Sequence, residues 1–235
     1  LKNKTLNPDG TTSWHWVTDK PFVSYLVMIA VGNWDVIEDS WDGIPVLSYV
    51  PQGTKEIAVK SFEKTADMMK FFSGYTGFRY PWKSFSQVVV EDFIYGGMEN
   101  TGAVVLFEGT VYDDRTPPDY TATGIVAHEL VHQWWGDVVT CRNWNEIWLN
   151  ESFGTYCEAM ILEYFGGQAA YQERIDLHYN YYRTLNNNKA IYNPMFINYT
   201  PPKGQMFNEL FYFPVVYSKG GCVLYMLRHV LGDTM

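Results

Sequence analysis

Cysteine is scarce in this chain. Cys141, Cys157 and Cys222 are the only three in 235 residues. They are too few and too scattered for a disulfide framework, and their odd number leaves at least one thiol outside any intramolecular bridge. Each reads as a small apolar filler. Long apolar runs are also lacking: the longest, Phe22 to Val31, is interrupted by Ser24 and falls short of the roughly 20 residues that cross a bilayer, which excludes a transmembrane helix here. Basic residues are outnumbered, 17 Lys and Arg against 26 Asp and Glu, and the net charge of -9 disfavours nucleic acid as a partner. An acidic cleft would instead suit a substrate with a positive amine. No repeat, low-complexity tract, Ser/Gly linker or targeting signal is visible. The chain opens at Leu1 without Met and is expected to be a piece of a longer protein, so its compartment stays unknown.

What is present is a composition for a folded core, 47% hydrophobic and 18% charged, in a length that suits one large domain or two small ones. Strand formers dominate the first fifty residues. Phe22 to Val31 and Ile44 to Val50 read as strands separated by a turn at Asp39 to Gly43. From Lys55 to Phe72 apolar residues recur at helical spacing, closed by Gly74. Gln87 to Glu91 and Ala103 to Phe107 read as short strands flanking a turn at Tyr95-Gly96-Gly97. Thr116 to Asp119 supplies a cap for a helix expected from about Tyr120 to Trp135, and a second helix is expected from about Asn150 to Phe165, stopped by Gly166-Gly167. Tyr171 to Pro202 gives no clear pattern. A last helix is expected from near Pro214 to Leu231. Strands first and helices after predict an α+β fold, a small sheet beside a helical lobe.

The chemistry is concentrated in His128-Glu129-Leu130-Val131-His132, followed after eighteen residues by Glu151. Two His at i and i+4 lie on one helical face about a turn apart, so both imidazoles reach one ion while Glu129 sits beside it unligated. A Glu from a second helix completes a His-His-Glu set, which leaves a fourth tetrahedral position open, the mark of a catalytic zinc site. The motif is wrapped in Ile125, Val126, Leu130, Val131, Trp134 and Trp135. Two His and a Glu buried there would be costly unless a metal or partners satisfied them. Glu158, seven residues after Glu151, shares its helical face; it either bonds a ligating imidazole or stands solvated. His15, His178 and His229 have no ligand spacing.

Four separated segments together resemble the zinc aminopeptidases typified by aminopeptidase N and leukotriene hydrolase. They are Gly96-Gly97-Met98-Glu99-Asn100, the His128 to His132 motif with Trp134-Trp135-Gly136, Trp148-Leu149-Asn150-Glu151, and Tyr217-Ser218-Lys219-Gly220. The resemblance implies a thermolysin-like catalytic domain over residues 21–235, with residues 1–20 a remnant of a preceding β-rich domain. It implies one zinc held by His128, His132 and Glu151, with Glu129 as general base and Tyr217 as hydrogen-bond donor to the oxyanion. Taken alone, Tyr217 would be an ordinary packed aromatic. The same resemblance makes Gly96 to Asn100 the substrate loop, Glu99 gripping a free N-terminal ammonium by a charge-assisted hydrogen bond. By itself that loop could be a plain turn. Glu209 and Tyr212 are further candidates for the pocket wall. The expected partners are peptides with a free amine and the N- and C-terminal domains that family members carry and this chain lacks in full. The alternatives are a zinc endopeptidase, which Glu99 argues against, and an excised domain that binds peptide without turnover.

Overall fold

The computed structural model describes residues 2–113, 115–116, 121–185 and 211–232. A short antiparallel hairpin, β1 (Asn3–Leu6) and β2 (Thr12–His15), comes first and lies almost wholly exposed. A five-stranded sheet follows, built from β3 (Trp34–Trp41), β4 (Ile44–Pro51), β5 (Phe85–Val90), β6 (Gly97–Met98) and β7 (Ala103–Phe107) in the order β3-β4-β5-β7-β6. The β4-β5 and β5-β7 pairs are parallel, and both edge pairs are antiparallel. In β4 the buried positions alternate, Ile44, Val46, Ser48 and Val50 facing inward, as a strand half-covered on one side requires.

Helices α1 (Lys55–Phe62) and α2 (Thr65–Thr76) pack against the sheet, and α2 ends at Gly77, whose φ of 65° is the left-handed C-cap conformation that glycine adopts without strain. Helix α3 (Thr123–Val131) carries the His pair and is buried on nearly every face, with Val126, Ala127, Leu130 and Val131 at 0–1% exposure. An all-round apolar helix is stable only as the centre of a core. Here it joins Phe72, Met69, Phe85, Val104 and Leu106 from α2 and the sheet in one cluster. Truncating a side chain such as Leu130 to Ala would cost about 2–5 kcal/mol. Helix α4 (Trp148–Leu185) crosses α3 and bends at Gly167, where φ 78° and ψ -174° break the helical path. A π-helical segment, Pro214–Lys219, then runs directly into α5 (Gly220–Leu231). Gly221 allows a close approach there, since a Cβ would stand 3.1 Å from Thr155 Cγ2 on α4.

The α+β expectation of a small sheet beside a helical lobe holds, and several details differ. Phe22 to Val31 forms no strand, only a turn of 3-10 helix at Ser24–Leu26, and Val27, Ile29 and Val31 are exposed. The first strand of the main sheet is β3, whose Asp35, Glu38 and Asp39 hid it, and it takes in Asp39 to Trp41 where a turn was expected. The helix expected from Lys55 to Phe72 is two, because α2 restarts at Thr65, whose buried hydroxyl accepts from Gln87 Nε2 at 3.1 Å. The turn at Gly97 is the short edge strand β6. Helix α3 closes at His132, a turn earlier than Trp135. The expected stop at Gly166-Gly167 is present as the non-helical backbone of Gly167, and a second helical stretch follows it directly to Leu185. The expected cap at 117–119, residues 186–202 and Glu209 lie outside the described residues.

Candidate active site

His128 sits in the last turn of α3 and His132 at its C-cap, so the helical repeat stacks their rings edge to face with centroids 4.7 Å apart. Glu151, in the first turn of α4, faces both: its Oε2 is 3.3 Å from His128 Nε2 and 3.5 Å from His132 Nε2. The three residues are buried, and they form a cluster in which one donor atom from each lies within 4.8 Å of the others. Two ligands about 2.1 Å from one tetrahedral centre stand about 3.4 Å apart, so these spacings fit the edges of a zinc coordination polyhedron. The outer nitrogens are engaged as well: His128 Nδ1 lies 2.8 Å from Glu158 Oε1, and His132 Nδ1 lies 2.8 Å from the Trp135 carbonyl oxygen. Each bond turns the remaining Nε2 inward. Glu158 is also 3.4 Å from Arg174 Nη1, so it is a bonded carboxylate, not a solvated one.

Electrostatics mark the pocket as a place of competing charges. Burial pulls the His132 imidazole down, but the Glu151 hydrogen bond and the Glu99 charge outweigh it and raise it to about 9. Burial pushes the Glu151 carboxyl up, yet the hydrogen bonds from His128 and His132 hold it down to about 2. Glu129 belongs to neither pair. Burial drives it up to about 8 against the pull of the two imidazoles. Its carboxylate lies against Gly97, where any Cβ would overlap it.

The loop expected to bind substrate comes to the same place. Met98 and Gly97 pair with Val105 and Leu106 of β7, and the Gly96 carbonyl accepts from Phe107 N at 3.2 Å, which anchors the loop to the sheet. Glu99 and Asn100 are buried at 6% exposure. Burial raises the Glu99 carboxyl, opposed by the nearby His132 and reinforced by Glu151, which places it in the electrostatic reach of the His-His-Glu cluster. Asn100 Nδ2 donates to the Leu26 carbonyl at 3.2 Å.

Tyr217 rides on the π-helical segment. Its ring is stacked between two near-parallel neighbours, Phe213 at 4.6 Å and 15° and His128 at 6.1 Å and 13°. Ser152 Oγ donates to the Val216 carbonyl at 2.6 Å, tying the residue before Tyr217 to the residue after Glu151. Burial raises the Tyr217 phenol well above its usual range, with the Glu151 and Glu99 charges adding, so it remains an O–H donor.

A family model described as the peptidase family M1 domain matches residues 60–235, three quarters of the chain. The chain belongs to peptidase family M1. The resemblance drawn from the motifs is therefore borne out. Among M1 relatives, it is 30% identical to aminopeptidase N of Haemonchus contortus over 97% of this chain and 24% of that protein. It is 29% identical to human endoplasmic reticulum aminopeptidase 2 over 99% of this chain and 24% of that protein. Bovine glutamyl aminopeptidase is 34% identical over 61% of this chain and 16% of its own length. The chain thus spans about a quarter of the length of the first two relatives. Among the described residues no helix is long and apolar enough to cross a membrane.

The structure also brings in residues that the sequence did not single out. Tyr25 Oη lies 3.5 Å from Glu99 Oε1 and accepts from Asn150 Nδ2 at 3.2 Å, its ring edge-packed on Trp144 at 4.8 Å. Gln133, fully buried directly after His132, bonds the Glu99 loop. Asp137 is another buried acid, raised to about 8 by burial and then by the Glu99 charge. Only Gln133 had a local signal, a polar residue inside an apolar stretch beside a ligand.

Proposed function

We propose that this chain is the catalytic domain of a zinc aminopeptidase that removes N-terminal residues from peptides with a free amine. The observation that carries the proposal is the convergence of His128, His132 and Glu151 with two further buried carboxylates, Glu129 and Glu99, in one electrostatically linked cluster. In this reading residues 21–235 form the catalytic domain, residues 1–20 come from a preceding domain, and further domains close the site around the peptide.

His128, His132 and Glu151 hold the metal. When bound, zinc supplies Lewis acidity that polarises the scissile carbonyl and makes water more acidic. Glu129 takes a proton from the attacking water as its oxygen bonds to the carbonyl carbon, then delivers that proton to the leaving nitrogen as the C–N bond breaks. Glu129 must be ionised for the first half of this transfer, a form that the positive charge of a bound metal would favour, and once protonated it is the acid for the second half. Tyr217 donates its O–H to the carbonyl oxygen as negative charge develops there, without bringing a charge of its own. Glu99 accepts N–H bonds from the substrate ammonium and fixes the first residue, so that the first peptide bond meets Glu129.

The test is elemental analysis combined with hydrolysis of aminoacyl amides, free and acetylated at the amine. The expected result is one zinc per chain and cleavage of the free substrates alone. Rapid internal cleavage of acetylated peptides would make the protein an endopeptidase, and stable peptide binding with zinc present but no cleavage would make it a binding module.

A further inference from the structure

The residues adjoining the metal ligands in sequence are the ones that grip the Glu99 loop. Gln133 follows His132 and has no solvent exposure. Its Oε1 accepts from Gly102 N at 2.7 Å, and its Nε2 donates to the Glu99 carbonyl at 3.3 Å and lies 3.5 Å from the Asn100 carbonyl. One amide side chain therefore bonds the loop on both sides of its turn. The turn itself is fixed by Gly102, whose φ of 72° suits glycine. Asn150 precedes Glu151 and also has no solvent exposure. Its Nδ2 donates to Tyr25 Oη, which in turn presents its O–H to Glu99 Oε1 across a long 3.5 Å contact.

We propose that Gln133 and the Asn150–Tyr25 pair are positioning residues that set the separation between the metal and the Glu99 carboxylate. Gln133 holds the backbone of Glu99 to the chain directly after the C-cap of the His-bearing helix. Tyr25 orients the carboxylate and refers it to the helix that bears Glu151. Two independent ties to two ligand-bearing elements define a distance and a direction, which one tie cannot do. An exopeptidase needs both, because the ammonium lies only one residue from the bond that is cut. A displacement of about 1 Å in such a site can cost on the order of 100-fold. Buried amides that satisfy backbone groups are also the kind of contact whose loss shifts a loop, because the orphaned groups must find new partners.

The inference rests on reading Glu99 as the amine anchor, and its test separates the two. Two zinc-binding inhibitors that differ only in an α-amino group are compared on the full chain, in Gln133→Met, Tyr25→Phe and Glu99→Ala. The ratio of their inhibition constants reads the amine contact alone. In the unmutated protein the amine should improve binding by about 10- to 100-fold. Gln133→Met keeps the side-chain volume and Tyr25→Phe keeps the ring. Each should lower that ratio by about three- to tenfold, with zinc content and the affinity of the amine-free inhibitor preserved. If Gln133→Met fails to fold, Tyr25→Phe decides. A ratio unchanged in the positioning variants but abolished in Glu99→Ala overturns the inference and leaves the anchor in place. A ratio unchanged in Glu99→Ala overturns the anchor itself.

Discussion

Glu158 Oε1 stands 2.8 Å from His128 Nδ1 while its other oxygen faces Arg174. Burial raises this carboxyl, but the His128 hydrogen bond and the Arg174 charge hold it below its usual range, so it stays ionised and can only accept. The proton between them therefore belongs to Nδ1, and Nε2 is left to ligate. Removing that partner frees the ring to rotate and lowers its basicity. Glu158→Ala should weaken zinc affinity by about 10- to 100-fold, measured by competition with a chromogenic chelator. An unchanged dissociation constant would show that α3 alone orients the ring.

Glu129 is not a ligand in the proposed site, so Glu129→Gln should retain zinc and lose turnover by about two to four orders of magnitude. Metal content and kcat are to be measured on the same preparation. A variant that keeps most of its rate would remove Glu129 from the role of general base.

Tyr217→Phe preserves the stack against Phe213 and His128 and deletes only the O–H. The expected loss is about 100- to 1000-fold in kcat with KM little changed, the pattern of an interaction made mainly as charge develops. A rise in KM with kcat intact would instead make Tyr217 a wall of the binding pocket.

Glu99→Ala should lower kcat/KM for free-amine peptides by about 10- to 100-fold. Acetylating the substrate amine should do comparable damage to the unmutated enzyme. The two losses should not add, since both delete one contact, and full additivity in a double-mutant cycle would contradict that.

His178, which is not one of the proposed ligands, provides a pH prediction. Its Nδ1 lies 3.2 Å from Ser218 Oγ, and the facing charges are Glu158, Arg174 and His128. Burial lowers the imidazole from 6.5, with Arg174 and His128 adding to the shift and Glu158 opposing it. The unfolded chain takes up a proton below about pH 6.5 that the folded chain refuses, so this contribution is present above that pH and is lost as the pH falls. His178→Gln should therefore lose less stability than the unmutated protein between about pH 8 and about pH 5, by urea midpoints. Equal losses would show that His178 is protonated in the folded protein without penalty.

The candidate metal cluster was legible because it depends on local geometry: His128 and His132 share a helical face, and Glu158 repeats the face of Glu151 two turns on. The strands β5 and β7 were legible as apolar runs with central burial. Phe22 to Val31 misled because apolar residues imply a strand only when something covers them, and Val31 is 92% exposed. Strand β3 was missed for the opposite reason, an edge position that tolerates Asp and Glu. Gln133 gave only a local signal, its polarity beside His132, and the roles of Asn150 and Tyr25 were illegible, because the meaning of all three lies in partners far along the chain, which no periodicity encodes.

Those chain distances also order the assembly of the pocket in time. His128 meets Glu151 across 23 residues and Glu158 across 30, whereas Tyr25 meets Glu99 across 74 and Asn150 across 125. Closing the longest of these loops costs about 1.5 kcal/mol more chain entropy than closing the shortest. Contacts of low sequence separation also tend to form earlier in folding. During refolding, affinity for zinc should therefore return before discrimination for the free amine. Partial unfolding from the N-terminal side should strip the discrimination first, leaving a nascent or damaged molecule that holds metal but no longer measures where its substrate begins.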